Sequence, residues 1–226
     1  MADVILLHGA AGRKEEMHPL SYTFGGGITA WSLDLLGHGE RPMPDAFGLR
    51  EMTEDIIAGL DQAGLEKVYV LGHSFGGYIG LLLASRFPDR IAGCCTLAAH
   101  LVYDRRAVRQ ALLILNKERL TQFERENEPW TEAVFDRLRL MLRTVEANGD
   151  AIYEDHLRSL KVPVLAMGGD RDPLVNAEHM EQLASIIPRF RCAVFAGSAH
   201  PLREAPIELV SGAVSDFIRD VEAGAI

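Results

Sequence analysis

The sequence predicts an α/β fold: a mostly parallel sheet of about six strands with helices on both faces. Short apolar runs with the length and β-branching of buried strands alternate with longer segments of helical spacing. Glycine or proline marks many of the junctions between them. The chain has 226 residues, 48% hydrophobic and 24% charged, which is the size and composition of one globular domain.

Each predicted strand is a short apolar run bounded by turn residues. The strands cover 3–7, 28–33, 67–71, 91–98, 162–167 and 191–195. The helices between them are predicted from apolar residues that recur every three or four positions. These helices cover 15–22, 49–63, 75–87, 177–187 and 206–221. Strands that alternate with helices in this way indicate βαβ units, and therefore a parallel sheet.

One long segment interrupts the alternation of strands and helices. Residues 102–158 carry many charges and no strand signal. Helical patterns recur within this segment at 106–126, 131–147 and 152–160. We therefore predict a core formed by residues 1–101 and 159–226, with a helical insertion at 102–158.

The charge and composition of the chain indicate which classes of binding partner are unfavourable. The chain has 23 Lys and Arg against 32 Asp and Glu, a net charge of -9, which disfavours nucleic acid and anionic membranes as partners. It shows no basic leader and no apolar run near the ~18 residues that span a bilayer. Three cysteines, an odd number, argue against a disulfide framework. We expect a cytoplasmic protein, a monomer or homodimer, that acts without metal or cofactor on a small molecule.

The motif Gly72-His73-Ser74-Phe75-Gly76 lies between the predicted strand at 67–71 and the predicted helix at 75–87. The motif G-x-S-x-G alone is common, but a position between a strand and a helix is typical of a nucleophile elbow. Such a turn holds the serine backbone in an unfavourable region and leaves room only for small residues on either side. The structural alternative is an ordinary tight connection between a strand and a helix.

With this elbow the chain resembles the α/β-hydrolase superfamily, in particular a small, cap-bearing, esterase-like serine hydrolase. His8-Gly9 resembles the oxyanion loop of the family, and residues 34–42 resemble a glycine-rich loop in which Arg41 stands where serine is usual. Residues 169–175 resemble the acid turn, and residues 197–201 the histidine turn. The resemblance implies the hydrolase fold without its first two strands, and it implies that the insertion forms a cap over the active site.

A serine hydroxyl becomes a nucleophile when a histidine, itself oriented by a third group, takes its proton. Eight histidines compete, and His200 follows the last predicted strand. It gives the order Ser74, Asp172, His200 that α/β-hydrolases use. The resemblance selects Asp172, which lies three residues after Gly169, as the acid. Asp170 is the alternative, and could instead brace the turn through local hydrogen bonds.

The remaining candidates surround these three residues. Backbone N–H groups form an oxyanion hole, and we assign them to Phe75 by position and to Ala10 by resemblance. His100, Trp130 and Phe135 are candidates for the substrate pocket. The alternatives are that His100 simply ends a strand and that the aromatic side chains pack the cap onto the body.

The predicted function is a serine hydrolase that cleaves a small or medium ester, lactone or thioester of a carbonyl substrate through an acyl-enzyme. The simplest such enzyme is a carboxylesterase. The same triad would also serve a carbon–carbon bond hydrolase, a lyase or synthase, or a cofactor-free haloperoxidase. A small-molecule receptor or carrier that has lost turnover is the alternative from a different class.

Overall fold

The computed structural model describes residues 1–100, 131–148, 154–175 and 183–226, together with residues 108, 112, 180 and 181. Its sheet has six strands in the order β2-β1-β3-β4-β5-β6, and every neighbouring pair is parallel. This confirms the predicted sheet. The strands are β1 (Ala2–Leu7), β2 (Ile28–Leu33), β3 (Val68–His73), β4 (Ile91–Leu97), β5 (Val164–Gly169) and β6 (Phe190–Phe195).

The α-helices bounded in the described ranges are α1 (His18–Ser21), α2 (Leu49–Ala63), α3 (Phe75–Arg86), α4 (Thr131–Asn148), α5 (Glu154–Arg158) and α6 (Ile207–Glu222). The predicted helix at 15–22 is wrong in part, because a 3₁₀ turn precedes the short α1. The predicted helix at 177–187 is also wrong near its end, where Leu183–Ser185 form a 3₁₀ turn. Pro188 follows closely and disfavours α-helical backbone in the residue before it.

Strands β3 and β5 extend two residues beyond the predicted apolar runs. The extra residues are Gly72-His73 and Gly168-Gly169, and both pairs are registered with the neighbouring strand. Glycine and histidine gave no apolar signal, yet the ladder continues through them. The longer strands carry the chain directly to the turns that hold the candidate catalytic residues.

Helices cover both faces of the sheet, as predicted, and each buries one apolar stripe. On one face α2 buries residues spaced by three or four positions, and α3 lies beside it in the same apolar cluster. On the other face α6 buries its own stripe against the opposite side of the strands. The buried stripes are Leu49, Met52, Ile56 and Leu60 in α2, and Val210, Val214, Phe217 and Ile218 in α6.

Helix α4 lies within the predicted insertion and begins and ends close to the predicted bounds. Four of its side chains are buried in the same cluster as α2 and α3: Val134, Leu138, Met141 and Leu142. The helix therefore packs onto the body through one apolar stripe. The other predicted helices of the insertion lie wholly or partly outside the described residues, and the division into core and insertion stays a prediction. No helix among the described residues is both long and apolar enough to cross a membrane.

Candidate active site

Ser74 lies on the turn between β3 and α3, at the centre of the sheet. Its backbone has φ 50° and ψ -116°, a conformation that side-chain-bearing residues rarely adopt. A Cβ on Gly72 would lie 2.2 Å from the carbonyl oxygen of Gly76, and a Cβ on Gly76 would lie 2.4 Å from that of His8. Backbone atoms cannot move aside as a flexible side chain can. The turn therefore requires glycine at both positions.

The structure brings Ser74, His200 and Asp172 together from three different turns. Ser74 Oγ lies 3.0 Å from Nε2 of His200, and Nδ1 of the same ring lies 2.9 Å from Oδ2 of Asp172. Both distances are within hydrogen-bonding range. Because a carboxylate only accepts, Nδ1 carries a proton and Nε2 is left to accept the proton of the serine hydroxyl.

The side-chain carboxylate of Asp172 is buried and accepts three hydrogen bonds, one of them from His200. Its Oδ1 accepts hydrogen bonds from the backbone N–H groups of Leu174 (2.8 Å) and Val175 (3.0 Å). Burial alone raises the pKa of this carboxyl, but the hydrogen bond and charge of His200 and the two N–H groups outweigh it and hold the pKa below its usual value. Asp172 is therefore ionised at neutral pH.

The acid turn after β5 and the histidine turn after β6 are joined to each other. Oδ1 of Asp170 accepts a hydrogen bond from the N–H of Gly197 (2.6 Å), and the N–H of Arg171 donates to the carbonyl of Ser198 (3.0 Å). A Cβ on Gly169 would lie 1.9 Å from that same carbonyl oxygen. Asp170 thus links the acid turn to the histidine turn rather than making the local hydrogen bonds expected of it, while Asp172 faces the imidazole.

The two predicted oxyanion donors belong to segments that flank Ser74. Phe75 is the first residue of α3, so its N–H has no carbonyl one turn earlier in the helix to bind. Ala10 lies in a turn closed by a hydrogen bond from Gly12 N–H to Gly9 O (3.1 Å). A Cβ on Gly9 would lie 3.6 Å from the Cβ of Ser74, so this loop runs directly beside the nucleophile. The assignment of both donors remains a prediction.

His8 ties the oxyanion loop to the glycine-rich segment at 34–42. Its Nδ1 donates to the carbonyl of Gly9 (2.8 Å), and its Nε2 accepts from the N–H of Leu35 (3.0 Å). The nearby His38 donates from Nδ1 to the carbonyl of Leu36 (3.0 Å). Burial lowers the pKa of His8 to about 4 and that of His38 to about 3. Both rings are therefore neutral at pH 7, and their hydrogen bonds shape the two loops.

Arg41, which stands where the resemblance expects serine, anchors the same segment to α2. Its guanidinium forms two hydrogen bonds of 2.6 Å with the carboxylate of Asp55 and one of 3.2 Å with the carbonyl of Asp34. The side chain of Asp34 in turn accepts from the backbone N–H of Lys14 (2.7 Å). Arg41, which replaces the usual serine, is therefore paired with Asp55 of α2.

The predicted pocket residues are less defined than the catalytic candidates. His100 is half-buried just after β4. Trp130 lies outside the described residues, and for Phe135 the description covers only the backbone, within α4. All three remain predictions. No group of three or more His, Cys, Asp or Glu residues in the described part of the chain is placed to hold a metal ion.

One contact in the site involves a residue to which the sequence gave no role. Nε2 of His73 lies 2.9 Å from the carbonyl oxygen of His200. The structure buries His73, which is 7% exposed. Its position directly before the nucleophile is the one signal that sequence analysis could have used.

This sheet, with a serine on the turn after its central strand, defines an α/β hydrolase. The sequence profile of the alpha/beta hydrolase family matches residues 4–213, and the chain belongs to this family. It is 32% identical to the lipase LipV of Mycobacterium tuberculosis over 111 residues, which are 49% of this chain and 42% of the lipase. The chain thus matches less than half the length of that relative.

Two longer similarities cover most of the chain. It is 24% identical to (E)-2-((N-methylformamido)methylene)succinate hydrolase of Acinetobacter baylyi over 237 residues, which are 95% of this chain and 89% of that protein. The structure of 2-hydroxy-6-oxo-6-phenylhexa-2,4-dienoate hydrolase from Rhodococcus matches with a TM-score of 0.75 at 17% identity, over 96% of this chain and 90% of that one. These three relatives bear the names of a lipase and two hydrolases, and the structural likeness confirms the predicted fold.

Proposed function

We propose that the protein is a serine hydrolase that cleaves a small or medium ester, lactone or thioester, and that its simplest activity is that of a carboxylesterase. The observation that carries the proposal is the chain of two hydrogen bonds from Ser74 Oγ through the His200 imidazole to Asp172 (3.0 and 2.9 Å). This arrangement supplies a nucleophile, a base within reach of its proton and a buried anion that orients the base.

In the proposed reaction Ser74 Oγ attacks the substrate carbonyl while Nε2 of His200 takes the hydroxyl proton. The backbone N–H groups of Phe75 and Ala10 stabilise the oxyanion, and Asp172 offsets the positive charge of the imidazolium. His200 then gives its proton to the departing alcohol or thiol, which leaves an acyl group on Ser74. Water, deprotonated by His200, attacks this ester and releases the acid and the free serine.

The proposed substrate size follows from the apolar surroundings. Ala10 and Ala11 pack against the same apolar cluster that contains Phe75, Val175 and the buried stripe of α4. We propose that the insertion covers the site as a cap and leaves a small apolar pocket. Turnover of p-nitrophenyl esters should then fall as the acyl chain lengthens from acetate to decanoate. A flat or rising profile would contradict a small pocket.

The test of the nucleophile is Ser74→Ala beside a matched control, Ser159→Ala, which removes an exposed hydroxyl after α5. Turnover of p-nitrophenyl acetate should fall by about 10³-fold or more in Ser74→Ala, with the circular dichroism spectrum and melting temperature unchanged. A fluorophosphonate probe should label wild type and the control at Ser74, as read by mass spectrometry. Full turnover in Ser74→Ala would refute the proposal.

The same probe separates the hydrolase from its alternatives. Labelling of Ser74 without turnover of any ester would instead favour a lyase, a carbon–carbon bond hydrolase or a receptor built on the same groups. Labelling of Ser74 together with ester turnover supports the acyl-enzyme route.

We also propose that the enzyme works in the cytoplasm on a small-molecule carbonyl substrate. The supporting observation is that Cys94, Cys95 and Cys192 are free thiols, which a reducing compartment maintains. Mass spectrometry of the denatured protein, alkylated directly in a cell lysate, should find all three thiols reduced. A disulfide would contradict this location.

A further inference from the structure

Of the three turns that meet at the site, the histidine turn follows the strand that lies farthest from β3 in the sheet. Ser74 follows β3, whereas His200 follows β6, and β4 and β5 lie between these strands in the sheet. At about 4.8 Å between neighbouring strands, the turn must reach back across about 14 Å. The hydrogen bonds between the acid and histidine turns fix His200 relative to β5. They fix it relative to β3 only indirectly, through the ladder of β4.

His73 supplies a direct contact between β3 and the histidine turn. Its backbone belongs to the sheet ladder, paired with Leu97 of β4, and its ring is buried. Nε2 of the ring lies 2.9 Å from the carbonyl oxygen of His200. A carbonyl oxygen only accepts hydrogen bonds, so Nε2 is the protonated nitrogen of the His73 ring.

The other side of the ring meets the oxyanion loop. A Cβ on Gly9 would lie 3.2 Å from Nδ1 of His73, and Nδ1 is buried with no hydrogen-bond partner among the described residues. Burial also lowers the pKa of His73 to about 4. The ring is therefore neutral at pH 7 and adds no positive charge beside the His200 ring, whose centroid is 5.5 Å away.

We propose that His73 is a positioning residue that sets the distance between Ser74 and His200 by donating a hydrogen bond from Nε2 to the carbonyl of His200. This inference rests on the proposed function, because it assigns His73 a part in the same reaction. The side chain itself touches neither the nucleophile oxygen nor the base nitrogen. It fixes the backbone that carries the base to the last residue of β3, directly before the nucleophile.

The kinetic test uses two substitutions of equal length. His73→Gln keeps an N–H donor near the position of Nε2, and His73→Met removes it. We expect kcat on p-nitrophenyl acetate to fall by about tenfold to hundredfold in His73→Met, with KM within about twofold, because a small displacement of the base slows proton transfer. His73→Gln should keep kcat within about threefold of wild type. Equal losses in both variants, or a loss confined to KM, would overturn the inference.

A second measurement stands apart from turnover. Long-range ¹H–¹⁵N spectra at pH 7 should show His73 as the neutral Nε2–H tautomer. A proton on Nδ1 instead would overturn the inference even if His73→Met did not fold. Wild type that neither hydrolyses esters nor reacts with the fluorophosphonate would refute the proposed function, while the tautomer would still decide the contact. Normal wild-type turnover with an unaffected His73→Met variant would refute the role of His73 alone.

Discussion

The candidate nucleophile and its base are held in place in different ways. The elbow around Ser74 is fixed by crowded backbone atoms. A Cβ on Gly72 would meet the backbone of Gly76 and Gly77, and a Cβ on Gly76 would meet the carbonyl oxygens at the end of β1, so neither position has room for one. Asp172 and His200 lie 28 residues apart on turns after two different strands. Hydrogen bonds between these turns, together with the close approach of Gly169 to the carbonyl of Ser198, define where they lie.

Because the two regions are held differently, substitutions in them should have different effects on stability and turnover. Crowded backbone cannot relax around an added atom, so a change at the elbow should lower the stability of the whole fold. Loops joined by hydrogen bonds can shift by fractions of an ångström while the sheet stays intact. Loss of one hydrogen bond between the two turns should therefore affect turnover more than stability.

The largest effect is expected for Gly72→Ala. The added Cβ would lie 2.2 to 2.4 Å from backbone atoms of Gly76 and Gly77, so we expect the free energy of unfolding to fall by about 3 kcal/mol or more. Gly59→Ala is the control, because that helical position of α2 is open. It should raise stability by about 0.5–1 kcal/mol. Urea unfolding of both variants measures the contrast, and similar midpoints would contradict the steric account.

The same contrast explains which parts of the molecule could be predicted from sequence. The strands, and the elbow after β3, follow from apolar runs and from glycines within five residues of each other. These signals are local, so the predicted parallel sheet and the helix faces are confirmed. The helix ends that were wrong, near Pro19 and Pro188, depend on turns whose geometry the apolar spacing does not encode.

The contacts between the acid and histidine turns are harder to predict from the sequence than the strands and the elbow. Asp170 and Asp172 carry the same side chain two residues apart, and motif spacing favoured Asp172 without deciding what Asp170 contacts. The bond from His73 to the His200 carbonyl joins positions 127 residues apart and uses a backbone acceptor, which no side-chain pattern reveals. Such contacts follow from how the turns fold over the sheet edge.

The histidines differ between the two regions as well. His8, His38 and His73, on the elbow side, are buried with pKa values lowered by burial to about 4, 3 and 4. The side chain of His200, on the turn side, is 19% exposed. Below pH 6.5 the unfolded chain binds protons at the three buried positions while the folded chain does not. Stability should therefore fall as pH drops from about 6.5 towards about 4.

His38→Asn isolates one of these groups. Asparagine keeps an amide donor near the position of Nδ1, towards the carbonyl of Leu36, and does not titrate. Between pH 7 and pH 5 we expect the variant to lose about 1 to 2 kcal/mol less stability than wild type. Urea unfolding at the two pH values measures the difference. Parallel losses in both proteins would mean that His38 is not a buried neutral group.

The smallest effect on stability is expected for Asp170→Ala, which removes the acceptor of the Gly197 N–H. Asp170 is exposed, so the free energy of unfolding should change by less than about 1 kcal/mol. The histidine turn would nevertheless lose one of its bonds to the acid turn, and kcat should fall by about threefold to tenfold with KM unchanged. Asp216→Ala, which removes an exposed carboxylate paired with Arg219 on α6, is the matched loss of charge. If both variants kept wild-type kcat, the hydrogen bond from Gly197 to Asp170 would not contribute to turnover. His73 and the sheet register alone would then position the base.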